Sequence, residues 1–279
     1  MFVDSHAHLT SKDFDDDRDE VIRRAIDVGV AIIVNPAVDE ADSRRAIELA
    51  EKHPNVFACI GIHPHQASHA DENAIASIEE LSSHPKVVGI GEIGLDYYYD
   101  FAPKDVQQRI FRWQIEIAQR RNLPIVIHTR ESIDDTVRMV GESIAVCPTW
   151  RTRGQGSPAA RGVFHCFSGD IAMATSVIEM RFYVSFPGMV TFKKAELAQS
   201  VAAAVPLNDL LLETDSPYLA PVPYRGTRNE PAHIPLIAQK IADLQGQTIE
   251  EVARMTSCNV HDLFGIGEKE IRLSRRENK

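Results

Sequence analysis

What the chain lacks already narrows its chemistry. No apolar run in its 279 residues approaches the roughly 20 that a membrane span requires. The opening MFVDSHAHLT is polar by its fourth residue, so neither an anchor nor a secretory leader is expected. Cysteine is scarce: Cys59, Cys147, Cys166 and Cys258 are the only four, and none is spaced as a metal finger or a redox pair. That sets aside a disulfide framework and a thiolate metal site. Positive charge is short as well, with 30 Lys plus Arg against 40 Asp plus Glu and a net charge of −10. Polybasic binding to nucleic acid or to an anionic membrane is thereby excluded, and a phosphate substrate would need a locally inverted field, for which metal ions are the obvious source. No P-loop occurs, and the G-x-G-x-x-G phosphate turn that a doubly wound sheet would usually show is not expected either. A cytoplasmic enzyme without an obligate protein partner is the default expectation.

What is present is a large core and a regular rhythm. Apolar residues make up 44% and charged residues 25% of the chain, a globular balance. Eight short apolar runs, at 2–4, 31–35, 56–60, 87–90, 125–127, 163–164, 182–184 and 210–212, lack polar alternation, as strands buried on both faces do. Between and after them, 15–28, 40–52, 74–82, 105–120, 132–142, 172–180, 193–204, 233–244 and 248–264 carry helical spacing, with Gly29, Asn122 and Gly246 at helix stops. Eight strand–helix units predict an α/β fold, a single-domain (β/α)8 TIM barrel over residues 1–265, followed by a charged tail at 266–279. A doubly wound open sheet is the alternative. The Gly-, Pro- and Arg-rich stretch 147–161, CPTWRTRGQGSPAAR, falls between helix and strand, hence on the barrel face opposite the chemistry. Arg151, Arg153 and Arg161 there read as a solvated surface insertion.

The chemistry-bearing residues sit where such a barrel gathers them. His6 and His8 form an H-x-H just after the first run, and a period of two puts both imidazoles on one side. Glu92 follows the fourth run, His128 and His165 end the fifth and sixth, and Asp215 follows the eighth. All six lie at C-terminal ends of strands, which converge on one mouth. No Lys or Arg neighbours Glu92 or Asp215 on its strand, and a buried carboxylate needs a cationic partner. Six oxygen and nitrogen ligands exceed one tetrahedral zinc and suit two divalent ions about 4 Å apart with a bridging carboxylate. Strand order assigns Glu92 as the bridge, His6, His8 and Asp215 to one ion, and His128 and His165 to the other. Of the other histidines, His63 and His65 follow the third run directly, while His53, His69, His84, His233 and His261 read as helix or loop residues.

These motifs resemble a known family. FVDSHAHL at the start, GIHPH at 61–65, GEIGLDY at 91–97, PIVIHTR at 124–130, HCFSG at 165–169, ETDSPYLAP at 213–221 and RNEP at 228–231 are similar to those of the TatD-family metal-dependent deoxyribonucleases, within the wider amidohydrolase-like barrels. The resemblance spans about residues 1–265. It implies a TIM barrel, dependence on Mg²⁺, Mn²⁺ or Zn²⁺, and trimming of DNA, often from the 3′ end, and it suggests DNA repair as a setting. It carries the metal ligands onto His6, His8, Glu92, His128, His165 and Asp215, and a substrate-side role onto His63. Where the family often has a lysine two residues after an Arg-Gly in the final loop, this chain has Tyr224-Arg225-Gly226 followed by Thr227 and Arg228.

The expected function is therefore a metal-dependent deoxyribonuclease that hydrolyses phosphodiester bonds with a metal-activated water at a two-metal site. A 3′–5′ exonuclease acting on single-stranded DNA or strand ends is the specific form. Asp215 is the residue to orient or deprotonate the water, and His63, titrating near pH 6.5, to shuttle a proton to the leaving group. Arg130, Arg225 and Arg228 are candidates to clamp phosphates, against a solvated loop for the last two and a pair with Glu131 or Asp134 for the first. Glu213 reads as orienting a ligand, and Asp96 as bonded to a ligand histidine or capping a turn. Tyr97, Tyr98 and Tyr99 are expected to pack their own loop, with stacking on an unpaired base as the alternative. Two rivals stand beside the nuclease: an amidohydrolase-like hydrolase of a C–N, ester or lactone bond, and a non-catalytic nucleic-acid binder.

Overall fold

A computed structural model describes residues 1–151 and 159–266; part of the 147–161 insertion, including Arg153, and the tail from residue 267 lie outside the described residues. Eight parallel strands form one sheet in sequence order: β1 (Phe2–Asp4), β2 (Val30–Pro36), β3 (Val56–Ile60), β4 (Val87–Asp96), β5 (Ile125–Arg130), β6 (Gly162–Phe164), β7 (Phe182–Phe186) and β8 (Leu210–Leu212). Helices α1 (Arg18–Asp27), α2 (Glu40–Lys52), α3 (Glu72–Leu81), α4 (Lys104–Arg121), α5 (Ile133–Val146), α6 (Ile171–Glu179), α7 (Glu196–Ala204), α8 (Ile234–Gln245) and α9 (Ile249–Phe264) alternate with the strands, the last two both following β8. The fold is the expected TIM barrel, nearly closed. No helix of the described residues is long and apolar enough to cross a membrane.

Strand residues divide into two apolar clusters that alternate along the chain. Ile33, Ala58, Ile127, Phe164 and Leu212 belong to a large cluster shared with the helices. Val34, Cys59, Val126, Val163 and Leu211, one residue away in each strand, belong to a smaller cluster with Val260, Leu263 and Phe264 of α9. Successive strand side chains point to opposite faces, so the smaller cluster is the lumen and α9 contributes to its floor. Continuing two residues at a time on the lumen face leads from Val126 to His128, from Val163 to His165, and from Leu211 through Glu213 to Asp215. An apolar floor thus passes into a polar mouth by strand periodicity alone.

The seam between β8 and β1 is held differently from the other junctions. The Ser5 amide donates to the Leu212 carbonyl at 3.0 Å, the Asp215 amide to His6 at 2.9 Å, and the His8 amide to Ser216 at 2.8 Å. The buried Asp4 carboxylate accepts from the Thr214 amide (2.9 Å) and hydroxyl (2.6 Å). Side chain and main chain together zip the first segment to the last.

Three findings differ from the sequence reading. β4 runs six residues beyond its expected end at 90, so Glu92 lies inside the strand rather than after it. The spacing G-x-G-x-x-G does occur, at Gly89, Gly91 and Gly94, but within β4 and not in a strand-to-helix phosphate turn. Its glycines serve close packing: a Cβ on Gly91 would stand 2.6 Å from Cβ of Val126, and one on Gly94 would overlap the His128 carbonyl oxygen. Finally, Arg151 and Arg161 are buried rather than solvated. Arg151 donates to the Ala160 and Leu263 carbonyls, Arg161 to the Met180 carbonyl, and the adjacent Trp150 indole N–H to Leu123 at 2.9 Å. The described ends of the insertion therefore pack against the starts of β5 and β7, the face opposite the histidines. The helix stops fall as expected, with Asn122 (φ 54°) and Gly246 (φ 64°) left-handed at the ends of α4 and α8.

Gly94 adopts φ 144° and touches the β5 backbone, so Gly94→Ala should lower the unfolding free energy by on the order of 3 kcal/mol. Thermal unfolding of the purified variant checks this, and an unchanged Tm would mean that β4 and β5 can separate without loss.

Candidate metal centre

The lumen mouth collects the residues that sequence placed at strand ends. Glu92 is buried and presents its two carboxylate oxygens to different sets of imidazoles. Oε2 lies 3.4 Å from Nε2 of His6 and 3.4 Å from Nε2 of His8. Oε1 lies 2.8 Å from Nε2 of His165, 2.9 Å from Nδ1 of His128 and 3.5 Å from Nε2 of His63. Asp215 Oδ1 stands 3.8 Å from His6 and 3.6 Å from His8, whose Nε2 atoms approach each other to 3.2 Å. The six expected ligands are thus brought together, and His63 joins them at the edge.

This donor set fits a cation. His6, His8 and Asp215 offer ligand atoms within 4.8 Å of one another, as do His6, Glu92 and His165, and, outside the expected set, His63, His65 and His128. Two ring nitrogens facing each other beside two carboxylates, all shielded from water, need a shared positive charge. Without one, the carboxylates must borrow it from the imidazoles. Burial works against charge on His165, but Glu92 and Glu213 outweigh it and hold its pKa well above the ordinary histidine value. Burial likewise opposes charge on Glu92, but the histidines around it, His165 first, hold it well below the usual carboxylate range. Nitrogen and carboxylate donors without thiolate suit a divalent cation. Cys166, next to His165, stays a thiol, because burial and then Asp215 and Glu213 push its pKa well up.

The surrounding groups fix the ligand rings. Asp96, at the end of β4, does both things that sequence left open. Its Oδ2 accepts from Nε2 of His128 at 3.0 Å and Nε2 of His65 at 2.8 Å, while Oδ1 accepts the Tyr98 and Tyr99 amides, each at 3.0 Å. Burial opposes its charge, yet His128 and the loop amides hold its pKa far below the ordinary value. Glu213 accepts from the Cys166 amide and the Ser185 hydroxyl, each at 2.6 Å, with Nδ1 of His165 at 3.7 Å, beyond hydrogen-bond reach.

Sequence reasoning missed two contributors. His65 had no assigned role, although H-P-H after β3 carries the same two-residue spacing as His6 and His8. Asn229 was noticed only within RNEP. It is fully buried, donates to the Thr214 carbonyl at 2.8 Å and the Tyr218 carbonyl at 2.7 Å, and so clamps the loop in which Asp215 adopts φ 54°.

His63 and the arginines depart from expectation. Burial pushes the His63 pKa down to about 4, so the ring is neutral near pH 7 and not poised at 6.5. Its Nδ1 accepts from the His65 amide at 3.1 Å, which assigns the proton to Nε2 and makes that atom a donor toward the mouth. Arg228 is engaged elsewhere, donating to both oxygens of Asp17 at 2.7 and 2.8 Å, so the phosphate clamp expected of it is already occupied. Arg225 lies over Phe192 at 3.9 Å. Arg130 pairs with neither Glu131 nor Asp134 but lies over Tyr98 at 4.0 Å and Tyr99 at 4.7 Å.

Comparison with known proteins places this geometry. The profile of the family described as TatD related DNase matches residues 3–265. The chain is 42% identical over 266 residues to a protein of Bacillus subtilis (strain 168) named uncharacterized metal-dependent hydrolase YabD, covering 95% of this chain and 100% of the relative. It is 33% identical over 268 residues to a Shigella flexneri protein named 3′-5′ ssDNA/RNA exonuclease TatD, covering 94% and 98%. Among solved structures, the TatD homologue YJJV of Escherichia coli K12 superposes with a TM-score of 0.87 at 27% identity, covering 95% of this chain and 98% of the other.

Removing the Asp96 acceptor frees the His128 ring, so Asp96→Asn should weaken metal binding about 10- to 100-fold. Titration against a chelating dye measures it; undiminished affinity would show that other contacts aim His128.

Proposed function

The chain belongs to the TatD related DNase family and is a metal-dependent hydrolase, and on that premise we propose that it hydrolyses DNA phosphodiester bonds as a 3′–5′ exonuclease on single strands or strand ends, at a centre of two divalent ions. The observation that carries the reading is Glu92, whose oxygens face two separate imidazole sets. His6, His8 and Asp215 would hold one ion, His128 and His165 the other, with Glu92 shared. Bound there, the ions supply an activated water and neutralise charge on the phosphate.

The chain's own side chains do the rest. Burial opposes charge on Asp215, but His8, His165 and His6 hold its pKa below the ordinary carboxylate value. It is therefore ionised at neutral pH, and its Oδ1 on the His6–His8 side can orient the attacking water and take its proton. His63 keeps a proton on Nε2 and donates it as a hydrogen bond to a phosphate or leaving oxygen. Asp96 holds the His128 ring, Glu213 holds the Cys166 amide next to His165, and Asn229 fixes the Asp215 loop. Arg130 and Arg225, both exposed and stacked on aromatic rings, are the cations available for the substrate backbone. With a net charge of −10, the protein gains no general attraction for duplex, which favours a strand end presented to the local cationic centre.

Thorough chelation should abolish shortening of a 5′-labelled single-stranded oligonucleotide, and added Mg²⁺ or Mn²⁺ should restore it; a ladder that persists under chelation overturns the metal role. Asp215→Asn should lower kcat about 10²- to 10⁴-fold with the fold intact by circular dichroism. Parallel assays on lactones and cyclic amides separate the rival hydrolase reading, which gains if those are cleaved and DNA is not.

A further inference from the structure

The loop after β4 divides into a packed residue and an exposed cluster. Tyr97 behaves as a loop-packing tyrosine: its hydroxyl donates to Asp135 at 2.9 Å and accepts from Gln108 at 2.7 Å. The next three rings do not follow it. Tyr98, Tyr99 and Phe101 are 53%, 40% and 58% exposed. Tyr99 and Phe101 stack at 5.3 Å with 30° between planes, and Tyr98 meets Tyr99 edge-on at 4.8 Å. Arg130 lays its guanidinium over Tyr98 and Tyr99. Large aromatic rings left in water around a cation mark a binding surface rather than a packing solution.

The cluster is joined to the metal centre. The His65 ring lies 4.8 Å from Phe101 and 5.3 Å from Tyr99. Asp96 accepts the Tyr98 and Tyr99 amides on one oxygen and the His65 and His128 rings on the other. The carboxylate that aims a metal-facing histidine therefore also sets where the exposed rings stand relative to it.

Resting on the nuclease reading above, we propose that Tyr98, Tyr99, Phe101 and Arg130 form a stacking platform for unpaired bases of the strand whose phosphate occupies the centre. Ring faces accept every base, and a base must leave its duplex partner to lie on them. The platform thus demands single-stranded substrate without demanding a sequence. Arg130 adds the only kind of charge that suits a backbone on an otherwise acidic protein. Because the contact is to base faces and not to the sugar, the platform does not distinguish DNA from RNA.

The test is binding of a phosphorothioate-linked, cleavage-resistant oligothymidylate to the metal-loaded full chain, read by fluorescence anisotropy. The same strand with abasic terminal nucleotides is titrated beside it. The Tyr98→Ala/Phe101→Ala double variant should bind the intact strand about tenfold more weakly than wild type. Abasic sites should cost wild type about the same factor and cost the variant nothing further, and Tyr98→Phe should bind like wild type. Equal affinity of variant and wild type, or equal loss on intact and abasic strands, overturns the platform. Wild-type protein that shows the base-dependent binding yet leaves an ordinary strand uncut supports the platform and overturns the nuclease reading. Normal cutting with no base-dependent binding does the reverse.

Discussion

The structure turns on one buried carboxylate. Glu92 sits at the lumen mouth with five imidazoles disposed around its two oxygens, Oε2 facing His6 and His8, and Oε1 facing His63, His128 and His165. A charge in that position is tolerable only if opposite charge is delivered from several directions. A parallel barrel does this economically, because β1, β3, β5 and β6 all end at the same rim. Gly91 and Gly94 on either side of Glu92 let β4 press against β5, so Glu92 and His128 are set by backbone contact and not by flexible side chains. A second ring of acids supports this one: Asp96 holds the His128 ring, and Glu213 holds the backbone at Cys166, next to His165.

Much of this was legible in the amino-acid order, for identifiable reasons. Strands buried on both faces show as unbroken apolar runs, so all eight are visible, and β1, β3 and β8 are visible to the residue. The strand-end histidines stood out because a polar ring ending an apolar run has little other reason to be there. β4 was cut short because Gly91, Glu92 and Gly94 interrupt its hydrophobicity, although those residues are what a close-packed, site-bearing strand requires. The G-x-G-x-x-G spacing illustrates the converse, since the same glycines that cradle phosphate in a turn serve strand-to-strand contact here.

What stayed hidden depended on pairs distant in sequence or on backbone acceptors. Arg228 looks like a free loop cation until Asp17, 211 residues earlier, is found beside it. Arg151 and Arg161 look solvated because Gly and Pro surround them, yet their guanidinium groups satisfy carbonyls at the barrel floor. Asp96 reads as a turn cap or as the partner of a ligand histidine; only the fold reveals that it is both at once, with His65 as a second ring on the same oxygen. The three tyrosines form a single string in sequence, but only Tyr97 turns inward.

The β8–β1 seam has a consequence for how the protein comes into being. His6 and His8 are among the first residues of the chain, and Asp215 lies beyond the last strand, with the Asp4–Thr214 contacts between them. One group of candidate ligands therefore straddles the β8–β1 junction, which, among the described residues, lacks the ladder that the other strand pairs have. A cation held there would act as a clasp between the first strand and the eighth, and metal supply would favour the closed barrel by simple mass action. During synthesis such a clasp would have nothing to fasten until the eighth strand had emerged, so the candidate centre and the finished cylinder are completed together.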